Sequence, residues 1–246
     1  MGAAQINGLR SVELGVHDLK ASAEFYRNVW ALEDVAGEGD TLHLRGTGTN
    51  HHILTLRERP RASLLGVHFS APDRAAVDGL YANAARIGAT IATAPGELER
   101  IAGGGYGFSL LTPEGHPLTI SSNVADHAGA VDDHTRPTKL THVVLNSAEV
   151  EKQTAFFVDV LGFKLSDSTF MMDFVRCCSD HHSVAFARGN GPCLNHMAYE
   201  VPDIDGLMRG AGRLRKNGYE IAWGVDRKST RLNSSHIPLS RMPSSA

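Results

Sequence analysis

Gly8-Leu9-Arg10-Ser11-Val12-Glu13-Leu14 recurs, 131 residues later, as Lys139-Leu140-Thr141-His142-Val143-Val144-Leu145. Gly66-Val67-His68-Phe69-Ser70-Ala71-Pro72-Asp73 recurs at an offset of 130 as His196-Met197-Ala198-Tyr199-Glu200-Val201-Pro202-Asp203. Between and beyond these anchors the correspondence holds: Phe25-Tyr26 falls on Phe156-Phe157, Val29 on Val160 and Gly88 on Gly218. Self-similarity at a fixed offset marks a duplicated architecture. The chain therefore reads as one half at residues 1–123, a linker at 124–137 and a second half at 138–225. The linker is small, charged and ends in Pro137, which is loop chemistry.

Within each half the hydrophobic period switches from two to 3.6 and back. Leu140–Asn146 alternates and carries β-branched residues at 141, 143 and 144, which predicts a strand. Glu149–Leu161 places Phe156 with Val160 and Phe157 with Leu161 on one helical face. Short strands are expected at Phe170–Arg176 and Ser183–Ala187. In the first half, Leu64–Ser70 reads as a strand and Arg74–Ile87 as a helix stopped by Gly88. Phe108–Leu111 and Pro117–Ser121 then form a hairpin around Pro113-Glu114-Gly115-His116. The unit is βαβββ, used four times, and the fold class is α+β with mixed sheets that can curve around a cavity.

Composition narrows the function. Hydrophobic residues are 42% of the 246, enough for a core, and the net charge of −3 carries no basic excess for nucleic acid or an anionic membrane. No apolar run approaches the ~20 residues of a membrane span, and Met1–Arg10 has no signal-peptide pattern. Cys177, Cys178 and Cys193 make no disulfide framework, so a reducing, cytoplasmic setting is expected.

The halves differ at their first strands. Ser11 corresponds to His142, and Gly66 to His196, so the second half alone has a histidine on the first strand of each module. Neutral imidazole is the commonest biological metal ligand. A single strand histidine is more often a core or surface residue. Two at repeat-equivalent positions favour a metal site, which a carboxylate would complete as a two-histidine-one-carboxylate face. His181-His182 falls on His51-His52 of the first half, so the pair is either an inheritance of duplication or the source of one inward general acid–base. Strand alternation lets only one of the two face inward.

The segments Thr141–Leu145, Cys178–Phe186 and Leu194–Val201 together resemble the type I extradiol ring-cleavage dioxygenases, which include the catechol 2,3-dioxygenases of the vicinal oxygen chelate (glyoxalase–bleomycin resistance–dioxygenase) superfamily. The resemblance runs from about residue 6 to 225. It implies Fe(II), with Mn(II) as an alternative, held by His142 and His196, and an acid–base His182 beside the O2 position. It implies a catechol-like aromatic and O2 as substrates, and a homo-oligomer for the full-length form. The first half of such proteins is metal-free, which fits Ser11, Gly66 and Thr119, the last at the carboxylate position. A glyoxalase-type metalloenzyme of the same superfamily, or a non-catalytic small-molecule-binding protein, is the alternative. Ligand histidines confined to the second half favour the dioxygenase.

The C-terminus departs from the repeat. From Asp226 the chain has no apolar periodicity, and Asp226–His236 back-translates into a common sequencing-library adapter, so 226–246 is read as a non-native tail. The third, carboxylate ligand is then expected beyond Val225, the last module lacks two strands, and this polypeptide is expected to hold iron weakly and turn over little. Glu200, four residues after His196 and roughly 13 Å along the strand, is a poor substitute. Cys193-x-x-His196 has no partnering pair for zinc, Gly103–Gly107 precedes no helix, and Arg213–Lys216 sits at a helix C-terminus.

Overall fold

The computed structural model describes residues 6–221. The first half runs β1 (Gly8–Val16), α1 (Leu19–Asn28), β2 (Glu33–Glu38), β3 (Thr41–Arg45), β4 (Leu54–Glu58), then β5 (Ser63–Ser70), α2 (Arg74–Arg86), β6 (Thr90–Glu97), β7 (Tyr106–Leu111) and β8 (Pro117–Ser122). These are two βαβββ modules, joined in one eight-stranded sheet of order β2-β3-β4-β1-β5-β8-β7-β6. The second half runs β9 (Leu140–Ser147), α3 (Val150–Asp159), β10 (Lys164–Ser168), β11 (Met172–Arg176), β12 (Val184–Arg188), then β13 (Cys193–Tyr199) and α4 (Ile204–Lys216). Its sheet has the order β10-β11-β12-β9-β13. The expected α+β fold is present. The fourth module is seen as its strand and helix, and the absence of its later strands falls outside the described residues.

Equivalent strands pair alike. β1 runs parallel to β4 and antiparallel to β5, and β9 runs parallel to β12 and antiparallel to β13. The first strands of a half's two modules are thus side by side. Equivalent caps recur too: Asp73 and Asp203 each accept a hydrogen bond at 2.8 Å from the backbone N–H three residues on, which opens α2 and α4. Gly88 and Gly218 follow these helices with φ of 74° and 80°, the left-handed conformation that ends them.

Two elements are shorter than their apolar pattern suggests. The strand expected from Phe170 begins at Met172, because Thr169 Oγ1 accepts from the N–H groups of Met171 and Met172 and closes a turn that leaves Phe170 exposed. The helix expected over Glu149–Leu161 spans Val150–Asp159.

Helix faces and sheet faces bury at their own periods. Val77, Leu80 and Ala84 of α2 and Val150, Thr154 and Phe157 of α3 are buried three and four apart. The core is continuous between the halves: Phe69 of β5 lies edge-on to Phe157 at 6.2 Å and to Phe163 at 5.4 Å, and Phe157 meets Phe186 at 5.0 Å. Polar groups cross the same boundary. Glu114, in the β7–β8 turn, accepts from the N–H groups of Ala148 and Glu149, and buried His116 bonds the Asn146 carbonyl through Nε2 at 3.0 Å. The end of β9 is therefore anchored by the first half.

Candidate metal centre

His142 lies on β9 and His196 on β13. In the antiparallel register His142 faces Ala198 and Val144 faces His196, so the two histidines stand diagonally on one sheet face. Their ring centres are 5.7 Å apart and nearly perpendicular, at 78°. A register shift between Leu194 and His196 sets this approach.

Both rings are oriented through Nδ1. Thr141 Oγ1 donates to the Ala198 carbonyl at 3.0 Å, so its lone pair accepts the His142 Nδ1–H at 3.3 Å. Asn195 Oδ1 accepts from His196 Nδ1 at 2.8 Å, with the Asn195 amide fixed by donating to Asn146 Oδ1 at 2.8 Å. A histidine that donates through Nδ1 keeps an unprotonated Nε2, the form that ligates a metal. Two such rings suit one divalent cation, and the described residues contain no group of three His, Cys, Asp or Glu that could hold one.

His182, just before β12, stacks at a tilt on His142 with ring centres 4.3 Å apart. Its neighbour His181 is exposed, and the two rings are perpendicular with Nδ1 atoms 3.0 Å apart. Phe174 of β11 packs edge-on against His182 at 5.1 Å. All three histidines singled out in the sequence thus form one cluster. Glu200 does not join it: the carboxylate pairs with Lys139 Nζ at 3.4 Å, just past the end of β13.

The profile of the Glyoxalase/Bleomycin resistance protein/Dioxygenase superfamily matches residues 8–120 and 139–232. The chain belongs to this superfamily. Among curated members, metapyrocatechase 2 of Cupriavidus necator is 34% identical over 94 residues, which are 37% of this chain and 29% of that protein. The manganese-dependent 2,3-dihydroxybiphenyl 1,2-dioxygenase of Geobacillus genomosp. 3 is 22% identical over 245 residues, covering 90% of this chain and 77% of that protein. Among solved structures, the Mn(II)-bound glyoxalase from Novosphingobium aromaticivorans superposes with a TM-score of 0.85 at 38% identity, over 89% of this chain and 74% of that one. The chain matches less than a third of the length of the first of these relatives.

As a superfamily member with two unequal halves, the chain has other residues in its first half at the positions of His142 and His196. Ser11 at the His142 position is fully buried. At Gly66, the His196 position, an added Cβ would come within 2.7 Å of His68 Nε2, so the His68 ring already fills the place of a side chain there. The pair His51-His52 nonetheless keeps the geometry of His181-His182, with the same 3.0 Å separation of Nδ1 atoms. His52 stacks at 4.7 Å on His43, which occupies the position of Phe174. Glu13 and His68 line the same first-half cavity as His43 and His52, although the repeat singles out neither. The available signal was a polar residue between two apolar ones, Val12 and Leu14 in one case and Val67 and Phe69 in the other, which marks the cavity side of a strand.

Proposed function

We propose that this chain carries the site of an extradiol ring-cleaving dioxygenase acting on a catechol-type aromatic with O2. The observation that carries the reading is the convergence of His142 and His196, each oriented through Nδ1, with His182 stacked 4.3 Å from His142. The sequence similarity to metapyrocatechase 2 and to the dihydroxybiphenyl dioxygenase supports it. His142 and His196 would hold Fe(II), or Mn(II) as the names of two relatives suggest. When bound, such a metal would act as a Lewis acid on a catechol and lower its hydroxyl pKa.

The chain's own residues do the rest. Thr141 and Asn195 keep the ligating nitrogens of His142 and His196 unprotonated. His182 has Nδ1 engaged by His181, so it would hold or deliver a proton at Nε2. Phe174 keeps the His182 ring from turning away. The carboxylate expected to complete the ligand set lies outside the described residues. No helix among the described residues is long and apolar enough to cross a membrane, and Cys177, Cys178 and Cys193 are unpaired. Both suit the cytoplasmic setting we propose.

The test is anaerobic loading of the chain with Fe(II) or Mn(II), addition of catechol, and then O2. The expected result is slow O2 uptake with a yellow 2-hydroxymuconic semialdehyde-type product, weak because the carboxylate ligand is not among the described residues, and lowered about 10²–10⁴-fold further in H182A at equal metal content. A second reading, a glyoxalase-type isomerase, is favoured by the 38% identity to the Mn(II)-bound glyoxalase. Isomerisation of a glutathione hemithioacetal without O2 uptake or ring cleavage would replace the first reading by the second.

A further inference from the structure

The first half holds a partly open cavity of about 280 Å³, on a different sheet from the three clustered histidines. Arg10 and Glu13 of β1, His43 of β3, Arg57 of β4 and Thr119 of β8 line it, together with His52. Its charges are arranged unevenly. Glu13 accepts from Arg57 Nε at 2.7 Å and has His68 Nε2 at 3.7 Å. Burial pushes this carboxyl up, but those two partners outweigh it and hold it at about 2. Glu13 and Arg57 are thus a closed ion pair, and a metal cation would have to displace a guanidinium to reach the carboxylate. Burial holds His43 at about 4 and His52 at about 2, so both are neutral hydrogen-bonding rings.

Arg10 is the exception. Its side chain is 11% exposed, its only ion pair among the described residues is with Asp126 at 3.9 Å, and that aspartate is 58% exposed. The buried Nε of Arg10 has no hydrogen-bond acceptor among the described residues. Burial lowers the pKa of Arg10, and Asp126 offsets this only in part. A buried guanidinium with an unmet donor is a binding group for an acceptor that bears negative charge. Beside it lie hydroxyls that can both donate and accept: Thr119 Oγ1 is 3.0 Å from Ser109 Oγ, and Thr55 Oγ1 is 2.9 Å from His43 Nδ1.

We propose that this cavity binds a small hydroxylated monocarboxylate, with the carboxylate on Arg10 and the hydroxyl on the Ser109–Thr119 pair. Arg10 has only the long Asp126 pair, and Glu13 and Glu99 also line the cavity, so a monoanion suits it and a dianion would set its second charge against those carboxylates. The volume, about nine waters of liquid, is large enough to admit a six-membered ring bearing two substituents. The site is independent of metal and of His142.

The experiment uses the full chain in chelator-containing buffer, with salicylate as probe and phenol as the control that lacks the carboxylate. Calorimetry is expected to show one saturable salicylate site and no phenol site. R10Q weakens salicylate about tenfold or more, T119V by a smaller factor, and H142A leaves binding unchanged. Amide chemical shifts of the wild-type chain supply a second measurement that needs no variant. Salicylate should move the signals of Arg10 and Thr119 and leave those of Thr141 and His142 in place. Equal affinity in R10Q, equal binding of phenol, no binding at all, or shifts confined to Thr141 and His142 would each overturn the proposal.

Discussion

Replacing Glu114 tests how the first half holds the strand that carries His142. The carboxylate stands at the N-terminus of α3, a helix whose own N-cap residue, Glu149, makes no capping bond. It accepts from the N–H of Ala148 at 2.8 Å and of Glu149 at 3.2 Å, from Gln153 Nε2 at 2.9 Å, and from Ser147 Oγ. Hydrogen bonds to a charged acceptor are worth about 1.5–3 kcal/mol each when buried, and these share one half-exposed carboxylate, so the set is worth about 3 kcal/mol. E114Q keeps one acceptor oxygen and loses the charge facing the helix dipole, which should cost about 2 kcal/mol. For a chain of this size each kcal/mol moves Tm by about 2–4 °C, so E114A should lower Tm by about 6–12 °C and E114Q by about 4–8 °C. The pH dependence is a second check. Burial pushes the Glu114 carboxyl up, but the bonds from Ser147, Gln153 and the two backbone N–H groups outweigh it and leave the pKa below its ordinary value. A depressed folded pKa stabilises above the unfolded value of about 4.3 and loses that stabilisation as pH falls through the folded one. The gap between wild type and E114Q, read by thermal unfolding, should be constant at neutral pH and shrink below about pH 4. A Tm for E114Q within about 1 °C of wild type at neutral pH, or a gap that persists undiminished in acid, would refute the reasoning.

Other expectations follow from the same geometry. T141V removes the oxygen that accepts from His142 Nδ1 while keeping the shape, and should weaken metal binding by about 10–100-fold in a metal titration. F157A, a fully buried ring among Phe69, Phe163 and Phe186, should cost about 3–5 kcal/mol in denaturant unfolding, and a double-mutant cycle with F69A should show coupling of about 0.5–3 kcal/mol between the halves. G66A places a Cβ within 2.7 Å of His68 Nε2, so the ring must leave Glu13, at a cost of about 1–3 kcal/mol measurable by thermal unfolding. H196A should abolish whatever Mn(II) binding the chain shows by calorimetry and leave its Tm without metal nearly unchanged, because the ring is only half-buried.

The sequence by itself determined the duplication and the order of elements. Period-two alternation in Leu140–Leu145, three- and four-residue spacing in α2 and α3, and Asp and Gly at the helix ends are local signals, repeated in two copies that check each other. It also singled out His142 and His196, because a histidine at matched positions of two modules stands out against Ser11 and Gly66, whereas His182, matched by His52, was marked only by the family resemblance. Only the tertiary structure decided which side chains meet. The diagonal approach of His142 and His196 depends on the β9–β13 register and its shift at His196, and one residue of slip would send a ring to the other face. The capping of α3 by Glu114, 34 residues before Ala148, and the Glu13–Arg57 pair, 44 residues apart, have no sequence signature. Such contacts are set by how two sheets and their cores pack, and long-range packing leaves no period in the chain.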